Sequence, residues 1–256
     1  RDSDRGPDAE LAKGDATLWS APAMNKRDAA TKGLPTTGEV SLETDQGRFG
    51  GSIRFRKSAG PMVFFKADGN FPVPAKNHAG TVSFWLSTDP ATDLPDGYCD
   101  PLQVTSKQWD DASFFVEFEK RPTGIPFRLG VYADRPVWNP TGRKFEDIPP
   151  AERPLVTVER PPFAAGQWTH VAFTYSNFNS SKADGVALLY LNGKPAGSIS
   201  SRTQTFTWDT SRAAIMLGLG YIGRMDDLAI FDKPLSPDEI AALFALPQGV
   251  TSLRSK

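Results

Sequence analysis

The sequence predicts an all-β fold in which two antiparallel sheets stack as a sandwich, with one short helix near the C-terminus. Three observations predict it. Twenty-two glycines and 22 prolines are spread along the 256 residues and cut the chain into short segments, the punctuation of sandwiches and barrels. The segments between them alternate apolar and polar side chains, which puts every second residue on one face of a strand. Asn192-Gly193 separates two such segments, and both residues tolerate the positive φ of a type I′ hairpin.

The elements follow in order. Gly50-Gly51-Ser52-Ile53-Arg54-Phe55 alternates after a glycine pair, and Met62-Val63-Phe64-Phe65 is a second strand ended by Asp68-Gly69-Asn70. Residues 81–86 place Val82, Phe84 and Leu86 on one face. Residues 114–119 set Val116 and Phe118 opposite Phe115, Glu117 and Glu119, and 127–132 follow as an antiparallel neighbour. Residues 134–162 are proline-rich with little alternation. They read as a surface excursion with one short strand at 155–158, and loops of that length are uncommon unless they carry function. Alternation returns at 168–175, where Val171 and Phe173 share a face, and at 186–191, which runs into the Asn192-Gly193 turn and a returning strand at 196–200. Residues 214–217 and 228–231 are the last strands. Ser236 caps the helix, Pro237 suits its first position, and Glu239 completes a capping box ahead of Ile240, Leu243 and Phe244. That apolar stripe is expected to seal one end or edge of the sandwich. A single domain over 9–246 with flexible tails at 1–8 and 247–256 accounts for the whole chain.

Composition excludes several classes. The formal charge is −1 and the basic residues are scattered, which is no footprint for nucleic acid. No apolar run approaches the ~20 residues that span a bilayer. Cys99 is the single cysteine, so an intrachain disulfide framework is excluded. The chain begins at Arg1, carries no signal peptide, and reads as a trimmed or mature fragment.

The C-terminal third carries a resemblance. Trp168-Thr169-His170-Val171-Ala172-Phe173-Thr174-Tyr175, Leu189-Tyr190-Leu191-Asn192-Gly193-Lys194-Pro195 and Ile215-Met216-Leu217-Gly218 come first. Gly223-Arg224-Met225-Asp226-Asp227-Leu228-Ala229-Ile230-Phe231 and Leu235-Ser236-Pro237-Asp238-Glu239-Ile240 follow in turn. Together they resemble the laminin-G-like and pentraxin branch of the concanavalin A-like lectin/glucanase superfamily. Gly47-Arg48-Phe49-Gly50-Gly51-Ser52-Ile53-Arg54-Phe55 and the 82–86 strand sit where that family places them. The resemblance spans 9–246 with 134–162 as an insertion, and it implies a jelly roll with one concave and one convex sheet. Its members include lectins, glycosidases, lyases and adhesion modules, so function has to come from the sites.

The glucanase relatives place Glu, Asp and Glu at alternate positions on one central strand, and retaining hydrolysis needs two carboxyls ~5–5.5 Å apart. Here Glu117 and Glu119 share a strand face, but Lys120-Arg121-Pro122 ends the segment before a third acid. An acidic stripe on a solvated face is the plainer expectation. Histidine is limited to His78 and His170, without a Gly-x-Ser-x-Gly elbow, and Cys99 falls in a Pro/Asp/Gly-rich loop. Pentraxins capture ligand through calcium held by a Glu-Gln-Asp run after the strand matching 215–218. Leu219-Gly220-Tyr221 is too short for that run, although Asp68 and Asn70 loosely match the family's other ligands. In the glucanase relatives an aspartate opening the final strand holds a structural Ca²⁺, and Asp227 matches it; a turn hydrogen bond is the alternative use of Asp226 and Asp227.

Sugars are gripped by aromatic faces beside amides and carboxylates. Tyr98, Trp109, Trp138 and Trp208 lie in or beside loops with acidic or amide neighbours and are the ligand-binding candidates, against the general tendency of tryptophan to be buried. Asn179-Ser180-Ser181 fits a glycosylation sequon. The expectation is a non-catalytic, extracytoplasmic lectin-like module that binds glycan or another cell-surface ligand. The alternatives are a structural or protein-interaction domain of a larger secreted protein, and a divergent polysaccharide hydrolase or lyase using Glu117 and Glu119.

Overall fold

The computed structural model describes residues 17–20, 31–32, 38–58, 61–67, 70–71, 76–209 and 213–254. The expected tail at 1–8, the domain start at residue 9, and Asp68 lie outside them. Strands in chain order are β1 (Thr17–Ser20), β2 (Thr31–Lys32), β3 (Val40–Glu43), β4 (Ser52–Phe55), β5 (Pro61–Lys66), β6 (His78–Ser87), β7 (Gly97–Thr105) and β8 (Ser113–Lys120). They continue with β9 (Phe127–Tyr132), β10 (Leu155–Val158), β11 (Thr169–Phe178), β12 (Gly185–Leu191), β13 (Lys194–Arg202), β14 (Ala214–Leu219) and β15 (Gly223–Phe231). Among the described residues they form an eight-stranded sheet, β10-β9-β8-β7-β14-β5-β1-β2, and a seven-stranded sheet, β13-β12-β11-β6-β15-β4-β3. All pairings are antiparallel. The crossovers β7-β14-β5 and β6-β15-β4 interleave early and late chain, as in a jelly roll.

Alternation decides what fills the space between the sheets. Phe114, Val116 and Phe118 of β8 and Phe127, Leu129 and Val131 of β9 are fully buried and meet Val171, Phe173 and Tyr175 of β11. Phe114 is the hub: its ring is parallel to those of Phe178 (5.6 Å, 3°) and Phe206 (4.8 Å, 19°) and stacks on Phe173. The Asn192-Gly193 turn takes the positive φ its sequence demands, 50° and 74°, and closes β12 on β13 at Leu191↔Lys194.

Helix α1 (Pro237–Phe244) forms with the capping box intact: Glu239 N–H donates to Ser236 Oγ at 3.2 Å, and Ser236 N–H donates to Glu239 Oε2 at 2.8 Å. The helix does not seal an end or an edge. Ile240 and Leu243 pack with Ala172, Tyr190 and Ala229 on the outer face of the seven-stranded sheet, because alanines there leave room for a helix to lie down. The same layer buries His170, which shares a 2.9 Å hydrogen bond with Ser83 Oγ. Burial lowers the His170 imidazole to about 4, so at neutral pH it is an uncharged packing group. The C-terminal segment is also more ordered than a tail: Val250–Arg254 forms a 3-10 turn, and Val250 N–H donates to Asp227 Oδ2 at 2.9 Å.

Four strands go beyond the sequence reading: β1, β2, β3 and β7. β3 has a weak pattern, and β7 runs through the segment expected as a loop. Cys99 therefore sits in a strand and in the core, its thiol pushed up to about 12 by burial.

Candidate functional site

Helix α1 covers the outer face of the seven-stranded sheet, whereas the opposite outer face carries polar side chains around an open cavity. Three adjacent strands supply its floor. In register, Tyr98 faces Glu119 and Gln103 faces Phe115 between β7 and β8, while Glu117 faces Arg128 and Phe115 faces Gly130 between β8 and β9. Gly130 is required by close approach: a Cβ there would strike the Phe115 ring, which lies across the strand.

Glu117 and Glu119 share this face as their spacing predicts, but the face is not a solvated stripe. Glu117 is only 7% exposed. The cause is Arg128, which donates from Nη2 to Glu117 Oε1 at 2.6 Å and from Nη1 to Glu119 Oε2 at 2.8 Å. It also lies over the Tyr98 ring, 5.1 Å from the centroid. A third carboxyl does exist, on the neighbouring strand: Asp100 of β7 is 8% exposed, and no cation among the described residues bonds it. Burial and the nearby Glu117 charge hold the Asp100 carboxyl well above the carboxylate range, against the opposing pull of Arg128. Burial likewise raises Glu117 to about 7, in spite of its guanidinium partner. Because Arg128 is committed to the two glutamates, the first proton belongs on Asp100.

The cavity over this floor has a volume of about 550 Å³ and is lined by Tyr98, Asp100, Gln103, Glu117, Arg128 and Tyr132 among others. The expected surface excursion, 134–162, supplies one wall. Its Phe145 and Glu146 line the cavity, Trp109 packs edge-on against Phe145 (5.4 Å) and Tyr132 (5.6 Å), and Arg153 covers Phe145 at 4.3 Å. Arg202 of β13 donates to the carbonyls of Ala151 and Glu152, tying the excursion to the other sheet.

Four polar atoms of this floor are buried and find no partner among the described residues: Gln103 Nε2, Gln103 Oε1, Arg128 Nε and Tyr132 Oη. Burying such groups unsatisfied costs about 1–3 kcal/mol each, so in an open cavity their bonding is completed by solvent or by a bound ligand.

Two of the four aromatic candidates belong to the site. Tyr98 is 60% exposed and Trp109 43% exposed at its rim. Trp138 does not line it: its Nε1 donates to the Asp110 carbonyl at 2.7 Å and its ring packs edge-on against Tyr132. Trp208 packs on the core with its Nε1 donating to the Ala112 carbonyl. Both indole N–H groups are consumed by backbone, which is the structural use of a half-buried tryptophan. The sequon asparagine is engaged too, since Asn179 Oδ1 accepts the Phe206 N–H at 2.8 Å. Asp227 opens a bulge in β15 at φ 56°, its Oδ2 accepting the Val250 N–H, and Asp226 Oδ2 accepts the Phe49 N–H at 2.9 Å. Those are turn-fixing bonds, and among the described residues no group of three or more His, Cys, Asp or Glu is placed to hold a metal ion. Gln103, Arg128, Tyr132 and Asp100 were not legible as a set, because they are neighbours only across strands.

Comparison with known proteins bears on this architecture. The Laminin_G_3 profile, described as the concanavalin A-like lectin/glucanases superfamily, matches residues 65–241. The chain belongs to this superfamily. Among superfamily-like folds of known structure, the receptor binding domain of botulinum neurotoxin C/D mosaic serotype superposes with a TM-score of 0.53 at 14% identity, over 89% of this chain and 50% of that one. The binding domain of botulinum neurotoxin DC, solved in complex with SialylT, gives 0.51 at 12% identity over 93% and 51%. A curated relative, the BEACH domain-containing protein lvsE of Dictyostelium discoideum, is 23% identical over 79% of this chain. The chain spans 8% of that protein and about half of each toxin domain.

The raised carboxyls give this concanavalin A-like domain a pH signature. A carboxyl whose pKa is higher folded than unfolded holds its proton better in the native state. Its stabilisation is complete below the ordinary carboxylate range and is lost as pH rises through the folded value, about 7 for Glu117. The melting temperature should therefore fall between about pH 5 and about pH 8, and fall less in Glu117→Gln. Equal slopes in the two proteins by calorimetry would refute the assignment.

Proposed function

We propose that the protein is a carbohydrate-binding module whose ligand lies on the outer face of the eight-stranded sheet, over Gln103, Arg128 and Tyr132. The observation that carries this reading is the set of four unpartnered buried polar atoms in an open cavity rimmed by Tyr98 and Trp109. Hydroxyls satisfy such atoms, and exposed aromatic rings cover the C–H faces of a sugar. One toxin domain of similar fold was solved with a sialyl ligand, which supports sugar recognition by that protein and makes the class worth testing here. The reading extends to an extracytoplasmic location, where surface glycans are found.

Tyr98→Ala and Trp109→Ala are each expected to weaken binding about tenfold, corresponding to ~1.4 kcal/mol of lost ring contact. Trp138→Phe and Trp208→Phe should leave it unchanged. Isothermal titration with an oligosaccharide identified on a glycan array reads both; an array without binders, or equal losses from all four variants, would refute the site.

The hydrolase reading has an observation in its favour, since it requires a cleft over Glu117 and the cavity provides one. Against it, both glutamates bond the same guanidinium, so neither is free to attack or to transfer a proton. Reducing-end release from a polysaccharide panel, abolished in Glu117→Gln, would restore it.

A further inference from the structure

The groups facing the cavity are unevenly charged. From β7 come the Tyr98 phenol and Asp100, with the neutral Cys99 thiol on the reverse side of the strand. From β8 comes Glu117, with Glu119 behind the lining on the same guanidinium; from β9 come Arg128 and the Tyr132 phenol. The proline-rich wall adds Glu146, while β14 and its following turn bring only Leu219 and Gly220. At the rim Arg121 reaches Glu119 at 3.6 Å and Glu159 at 3.3 Å.

Four carboxyls thus face one guanidinium, and both terminal nitrogens of that guanidinium are already bonded. An anionic sugar would find no uncommitted cation on the floor and several carboxylates at short range. A basic sugar suits the charge but not the hydrogen bonding. The unpartnered atoms include three donors, Gln103 Nε2, Arg128 Nε and Tyr132 Oη, and an ammonium, which only donates, satisfies none of them. Hydroxyl and ether oxygens accept from all three, and a hydroxyl can also donate to Gln103 Oε1.

Taking the cavity as the glycan site proposed above, we infer that it selects uncharged glycans and that Asp100 takes part as a neutral, proton-bearing acid. The geometry behind this is the placement of Asp100: buried beside Glu117, without an ion pair to Arg128, whose terminal nitrogens hold Glu117 and Glu119, and on the wall of the cavity. Burial and the Glu117 charge already hold its carboxyl above the usual range. A bound glycan excludes more water, which favours the acid form further. The complex therefore keeps a proton that the free protein releases at high pH, and affinity falls as pH rises.

The test is a printed array holding neutral, uronate-bearing, sialylated, sulfated and free-amine oligosaccharides, probed with the labelled chain at about pH 5.5 and about pH 8.5. Titration calorimetry of the best neutral oligosaccharide follows. We expect neutral glycans to dominate, with affinity falling at least about tenfold between the two pH values. In Asp100→Asn, an isosteric amide, the ratio should shrink to about twofold or less. Glu117→Gln, which removes the charge beside Asp100 and releases Arg128, should displace the affinity loss to lower pH, because both changes favour the Asp100 carboxylate. Neutral glycan binding that does not change with pH, or equal binding of acidic glycans, overturns the inference while leaving carbohydrate binding intact. Binding that strengthens with pH and prefers free-amine sugars overturns it in favour of a basic ligand. An array silent at both pH values overturns the underlying reading as well.

 In Glu117→Gln, displacement to lower pH supports the inference. Displacement to higher pH, or none, counts against it.

Discussion

Arg128→Ala is expected to destabilise the protein by about 3–5 kcal/mol. The guanidinium is 9% exposed and holds two carboxylates that are themselves 9% and 14% exposed. Removing it leaves Glu117 without its cation beside a third carboxyl, Asp100, and Glu119 with only Arg121 at 3.6 Å. The pair as a whole contributes less than that figure, because burying three charged groups was costly in the first place. Two consequences separate lost pairing from lost packing. Arg128→Lys should recover only part of the stability, since one ammonium cannot bridge two carboxylates in the fork geometry of a guanidinium. The loss in Arg128→Ala should also be smaller at about pH 5 than at about pH 8, because protonating Glu117 removes the unpaired charge. Denaturant midpoints at the two pH values measure both. A loss below about 1 kcal/mol at the higher pH would mean that the clamp is solvated.

Phe114→Ala should cost a similar ~3–5 kcal/mol for a different reason. Phe114 is fully buried and its ring meets those of Phe173, Phe178 and Phe206. Phe173 and Phe178 belong to the opposite sheet, so truncation opens a void where the two layers interlock, and close-packed neighbours collapse into it only in part. Phe114→Leu should recover more than half of the loss. No pH dependence is expected beyond that of the wild type, which distinguishes this variant from Arg128→Ala. A cost under about 1 kcal/mol would show that the aromatic cluster rearranges freely.

The sandwich was legible wherever one face of a strand is buried. β8, β9, β11 and β12 alternate, and their core residues are those the alternation picks out. The Asn192-Gly193 hairpin and the Ser236 capping box are local, and local chemistry is readable from local sequence. β7 was missed because Asp100-Pro101 disfavours a strand. The structure accommodates that pair through a register shift between Cys99 and Leu102, which removes the proline from the ladder.

That missed strand explains why the site was only half visible. Glu117 and Glu119 announce themselves by spacing, but a search along one strand for a third carboxyl stops at Lys120. The third carboxyl stands on β7, and the cation that governs all three stands on β9. Cross-strand neighbours follow from register, and register is set by bulges and turns. The one available signal was the 127–132 partner strand: pairing it with β8 brings Arg128 opposite Glu117. Tyr98 and Trp109 were distinguishable from Trp138 and Trp208 only once the backbone carbonyls of Asp110 and Ala112 were seen to occupy the latter two.

The proline-rich segment that walls the cavity also laces the two sheets together at one border, through Arg202 and the carbonyls of Ala151 and Glu152. Trimming it to admit a bulkier ligand would therefore unfasten β10 and β13 at the same time and leave an open strand edge for other chains to join. Altering what this domain recognises by shortening that segment carries an aggregation risk, whereas replacing Phe145 or Glu146 in place does not touch the fastening.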